Sequence, residues 1–116
     1  MITHIIFDIN ELPADREEKK QLLALCRELD LHMVSPDRRA KEMADPSLGV
    51  CQYLLNTYPL DSGQCIYVSS SEEDAGTARR VGIHAVVFTS FAQAEERIRL
   101  LVRLHAMDGR MCYCSE

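Results

Sequence analysis

Asp8 and Asn10 follow one short apolar run of this chain, and Ser69, Ser70 and Ser71, with Asp74 close behind, follow another. Ser35 stands after a third such run and Thr89 and Ser90 after a fourth. Three serines that open a helix set its free N–H groups and dipole toward a phosphate-like ligand. The simpler reading is that they only cap the helix. Asp8 reads in the same two ways, as a site carboxylate or as a strand-end turn residue. Of the five cysteines, Cys26, Cys51 and Cys65 sit in apolar-patterned segments and read as buried small hydrophobes. Cys112 and Cys114 form a Cys-Tyr-Cys tail. That pair could share a soft metal or oxidise between chains, and reads more simply as a tail without function. No spacing among His4, His32, His84, His105 and the cysteines is that of a metal site.

The elements that must position these residues alternate strand with helix. Ile2 to Phe7 is a β-rich apolar run ending at Asp8, the pattern of a buried parallel strand. Pro13 and Asp15 open a helix whose apolar face is Leu22, Leu25, Cys26 and Leu29. Leu31 to Val34 is a second strand, and residues 36–46 read mostly as loop. Ser47 to Tyr58 is a helix stopped by Pro59, and Asp61-Ser62-Gly63 is a turn. Cys65 to Val68 is a third strand, followed by a helix through Val81 that Gly82 closes. Ala85 to Phe88 is a fourth strand, and Thr89 or Ser90 caps a last helix running to about Met107. Such alternation predicts a three-layer, doubly wound α/β domain with four parallel strands in the order 4-3-1-2. Ligands bind such sheets at the carboxyl ends of the strands, which is where the residues named above fall. Residues 1–107 form the domain and residues 108–116 a C-terminal tail.

A chain of 116 residues suits one domain. The net charge of −5, with no basic cluster to offset it, excludes a field suited to nucleic acid or acidic lipid. No apolar run approaches a membrane span, and Met1 to Asn10 lacks the pattern of a signal peptide. The expected compartment is the cytoplasm.

Two stretches resemble the haloacid dehalogenase-like (HAD) superfamily, whose commonest members are magnesium-dependent phosphatases. Ile5-Ile6-Phe7-Asp8-Ile9-Asn10 is similar to the opening strand with its Asp-x-Asp signature. Cys65 to Ala75, continuing through Ala78-Arg79-Arg80-Val81-Gly82-Ile83, is similar to the fourth motif, a strand ending in Gly-Asp-x-x-x-Asp before a helix. Ser35 and Asp45-Pro46 are weaker echoes. The resemblance implies a carboxylate nucleophile at Asp8, which would form an aspartyl-phosphate. It places Asn10 where the general acid/base belongs, Ser35 at the phosphate-binding hydroxyl, and Ser69 and Ser70 at the glycine and first acid of the fourth motif. Ser71 follows them as a further phosphate-binding hydroxyl. Asp74 matches the second metal acid, so Asp8 and Asp74 would share Mg²⁺ weakly. Met43 falls where the phosphate-binding lysine belongs, with Lys41 close by as a substitute. The stretch from Ser35 to Asp45 leaves no room for a cap domain.

An amide neither gives nor takes the proton that Asn10 would have to move. Losing a positioned acid/base costs a factor of about 10²–10⁴ in rate. The lysine and one metal carboxylate are missing as well. The expected function is therefore a catalytically impaired phosphatase homologue that acts by binding a protein or a phosphorylated small molecule, with no resident cofactor. The alternative is an Mg²⁺-dependent phosphomonoesterase with Asp8 as nucleophile, and a receiver-like phosphoacceptor Asp8 is a third reading. The last helix carries a core stripe of Phe91, Ala94, Ile98, Leu101, Val102 and His105. Beside it runs a second apolar row of Leu100, Leu104, Met107 and Met111. That width predicts a homodimer or partner surface, unless the helix is simply tucked deeper into the core.

Overall fold

Short β-rich runs with apolar side chains on both faces, and apolar stripes along the helices between them, give this chain two apolar layers separated by a sheet. The computed structural model describes residues 1–36, 42 and 49–114, with side chains through residue 106. The elements in chain order are β1 (His4–Ile6), α1 (Arg16–Glu28), β2 (His32–Val34), α2 (Gly49–Thr57), a 3-10 turn (Ser62–Gln64), β3 (Cys65–Ser69), α3 (Glu72–Arg80), β4 (His84–Val87) and α4 (Phe91–Cys114). All strand pairs are parallel, and the sheet order is β2-β1-β3-β4. This is the order read from the sequence, seen from the other edge. The chain leaves β1 for β2 and returns on the far side of β1 as β3. The winding therefore reverses between β1 and β3, and the crevice at their carboxyl ends is the natural ligand site.

Period-two alternation sorts the strand side chains between the layers. Ile5, Ile66, Val68 and Val86 pack under α1 and α4 with Leu22, Leu25, Ala94 and Ile98. Ile6, Cys65, Tyr67 and Ala85 pack under α2 and α3 with Cys51, Leu54 and Ala78. Ile5, Ile6, Leu22, Ile66 and Ile98 are wholly buried, each worth about 1.5–3 kcal/mol of transfer free energy. Cys26, Cys51 and Cys65 are buried thiols, as their apolar surroundings predict.

The caps match the sequence signals. Asp15 is the N-cap of α1: its Oδ1 accepts from the Glu18 backbone N–H at 2.8 Å, and Glu18 Oε1 accepts from the Asp15 N–H at 3.4 Å. The other oxygen of Glu18, Oε2, accepts from the Phe91 N–H at 2.8 Å, so one carboxylate caps two helices. Ser90 starts α4, its Oγ accepting from the Gln93 N–H at 3.3 Å. Gly82 ends α3 at φ +90°, with the Ile83 N–H reaching back to the Ala78 carbonyl at 3.1 Å. Helix α4 does not stop near Met107 but continues through Cys114, so the stretch read as tail begins as helix. Among the described residues no helix is long and apolar enough to cross a membrane.

Candidate functional site

Asp8 lies two residues beyond β1, in a turn closed by two hydrogen bonds. The Asn10 N–H donates to Asp8 Oδ1 at 3.0 Å, and the Glu11 N–H donates to the Asp8 carbonyl at 3.0 Å. At the neighbouring strand end, Ser69 is the last residue of β3 and Ser71 is the N-cap of α3. Ser71 Oγ accepts from the Asp74 N–H at 3.2 Å, and Ser69 Oγ accepts from the Ser71 N–H at 3.1 Å. These local bonds fold both loops over the same crevice.

A cavity of about 690 Å³ opens there. Asp8, Ser69, Ser70 and Asp74 all line it. The two stretches singled out in the sequence, some sixty residues apart, thus meet at one rim of the sheet. Asn10, Ser35 and Ser71 do not line it. Asn10 is exposed, and its backbone N–H engages Asp8. Ser35 is exposed at the end of β2, and the cavity wall there is Pro36. Ser71 is committed to capping α3. Lys41, Met43, Asp45 and Pro46 lie outside the described residues, as do the side chains of Cys112 and Cys114. Thr89 lines a separate cavity of about 240 Å³ between β4 and α4.

Tyr67, Glu11 and Cys51 are among the lining residues that were not read as site residues from the sequence. Tyr67 looks like a strand core residue, but it precedes Ser69 by two positions and so shares its face of β3. Its side chain is 9% exposed and is hydrogen-bonded to Ser69. Burial first, then the neighbouring Cys51, Asp74 and Glu11, push its hydroxyl up to about 12. It is a protonated hydroxyl at neutral pH. Glu11 enters through the Asp8 turn and adds a third carboxylate to Asp8 and Asp74. Cys51, on the first turn of α2, has its thiol pushed up to about 12 by burial, then by Cys65 and Asp74, which leaves it a poor nucleophile.

The lining therefore combines the carboxylates of Asp8, Glu11 and Asp74 with the hydroxyls of Ser69, Ser70, Tyr67 and Thr77, and Leu12, Val50, Val68 and Ala78 are its apolar part. Among the described residues no three of His, Cys, Asp and Glu are grouped to hold a metal ion. No family model matches the chain, and no curated protein or solved structure matches it. The likeness to the HAD superfamily rests on the motifs quoted above.

Proposed function

We propose that this chain is a catalytically impaired relative of the HAD phosphatases, and that its cavity binds a phosphorylated small molecule without turning it over. The observation that carries the reading is the convergence of Asp8, Ser69, Ser70 and Asp74 on one cavity at the switch point of the sheet. The nucleophile position is kept. The acid/base position is an amide outside the cavity, and a hydroxyl stands where the first metal acid belongs. The lining hydroxyls supply donors for phosphoryl oxygens.

The three carboxylates oppose a bare dianion. Mg²⁺ binds through one or two carboxylates together with substrate phosphate oxygens. The ion is therefore expected to enter with the ligand. Calorimetry with a set of phosphomonoesters checks this: binding is expected with Mg²⁺ present and is expected to weaken strongly without it. An aryl phosphate assay run alongside is expected to show no turnover in either condition. Asn10→Asp combined with Ser70→Asp is expected to raise turnover by about 10²-fold or more, the scale of a restored acid/base. Magnesium-dependent hydrolysis by the unaltered chain would establish the phosphomonoesterase alternative. No phosphomonoester binding, with or without Mg²⁺, would remove the ligand reading.

A further inference from the structure

The histidines show no metal-site spacing along the chain, but the fold brings them together in two pairs. His4 opens β1 and His32 opens β2, and the two are register partners on neighbouring parallel strands. Their side chains therefore leave the same face of the sheet, with ring centroids 5.2 Å apart. His84 and His105 form the second pair, at 4.2 Å. Stability alone does not favour a register pair of histidines. Two β-branched residues suit neighbouring strands better, and like charges side by side oppose the pairing once both rings are protonated.

An ion with tetrahedral nitrogen ligands at about 2.0–2.1 Å holds two imidazole rings with their centroids about 5 Å apart. The His4–His32 pair has that spacing, whereas the rings of His84 and His105 stand closer. Thr3 Oγ1 lies 2.7 Å from His4 Nδ1. A hydroxyl accepts as well as donates, so it can take the Nδ1 proton and leave the lone pair on Nε2. A partner on the far ring nitrogen is what a metal-binding histidine ordinarily has. His4 is half-buried and His32 exposed, so solvent reaches the pair. Cys65 is the register partner of His4 on its other side, so an ion between the two histidines lies away from that thiol. The pair is thus a two-ligand site, in keeping with the absence of any group of three among the described residues. We propose that His4 and His32 chelate one late first-row divalent ion, Zn²⁺ or its neighbours Ni²⁺ and Cu²⁺, with water completing the coordination. Thr3 is the positioning residue. The ion bridges β1 to β2, and the site is independent of what the cavity holds.

Calorimetric titration of the whole chain with Zn²⁺ tests this, with circular dichroism to verify folding of each variant. Cys112→Ser and Cys114→Ser are carried throughout, because two thiols at that spacing compete for a soft ion. Excess Mg²⁺ is present to occupy oxygen sites, and it is not expected to displace Zn²⁺ from imidazole. One Zn²⁺ per chain is expected to bind at about pH 7.5, where an ordinary imidazole is neutral. His32→Gln, at an exposed position, is expected to weaken binding at least about tenfold. His84→Gln is expected to leave it unchanged. Thr3 holds its strand through backbone bonds, its N–H to the Gln64 carbonyl and its carbonyl to the His32 N–H, both at 2.9 Å. Thr3→Val keeps those bonds and is expected to weaken Zn²⁺ about tenfold, the scale for losing a group that orients a ligand. Zn²⁺ is also expected to raise the thermal unfolding midpoint of the parent chain and not that of His32→Gln. Zn²⁺ binding that His32→Gln leaves unaltered, binding that His84→Gln abolishes, or no binding at all would overturn the proposal.

Discussion

Two residues with backbone in the left-handed region show how single side chains set the terms of this fold. Asp30 follows α1 at φ +56°, where its N–H meets the Arg27 carbonyl at 3.1 Å. Gly82 holds the equivalent place after α3 at φ +90°. Only glycine adopts this conformation without a Cβ clash, and the penalty for other residues is about 1–2 kcal/mol. Asp30→Gly is therefore expected to stabilise the domain by about 0.5–1 kcal/mol, after allowing for the greater freedom of glycine in the unfolded chain. Gly82→Ala is expected to destabilise it by more, because the added carbon would also stand 2.9 Å from Ser62 Oγ. Urea unfolding of the two variants checks the opposite signs. Gly82 was legible in the sequence as a helix stop, because glycine in that place has one main use. Asp30 was not, since a lone aspartate after a charged helix reads as solvated surface. The site divides in a similar way. Asp8, Ser70 and Asp74 carry polar side chains just past apolar runs and stand out. Tyr67 hides inside such a run, and only its two-residue offset from Ser69 marks it.

Glu18 ties elements together that the sequence presents as separate. Its two oxygens accept from the first N–H groups of α1 and α4, so the starts of two helices distant in the chain share one side chain. Arg99 makes a second link between the same helices, bonding Glu28 on α1 at 2.6 Å and Glu95 on α4 at 3.0 Å. Glu18→Ala is expected to cost about 1–2 kcal/mol, since both helix starts lose an acceptor. Glu18→Gln, with one carbonyl oxygen left, is expected to lose roughly half as much. Chemical denaturation of both variants measures the ratio. The capping box at Asp15 is readable from Asp-x-x-Glu spacing. The tie to Phe91 is not, because it depends on how two helices dock. Strand order was legible because short connectors and right-handed crossovers leave few alternatives. The true length of α4 was not, because the core stripe ends well before the helix does and Gly109 reads as a stop.

The molecule as a whole carries histidines at the end of the sheet away from the cavity. His4 and His32 are register partners on β1 and β2, with rings 5.2 Å apart, and His84 meets His105. Burial, and then the neighbouring His32, hold His4 below its ordinary 6.5. Burial, then His105 and the chain's amino terminus, hold His84 below the same value against the Gly63 carbonyl, which favours the proton. The unfolded chain therefore binds more protons at these sites than the folded one. Stability is full above about pH 6.5 and is lost as pH falls through the depressed folded values. Thermal unfolding is expected to show a falling midpoint between about pH 7 and 5, and His84→Gln is expected to flatten that slope. The buried cysteines divide unevenly between the two layers of this molecule. Cys26 lies on the buried face of α1, whereas Cys51 and Cys65 lie together on the opposite face of the sheet. Burial raises the Cys26 thiol to about 11 and the Cys51 thiol to about 12, so neither reacts readily while its layer stays closed. Each face thus holds its own clock: the moment at which an alkylating reagent marks residue 26, against 51 and 65, tells which side of the sheet breathes first.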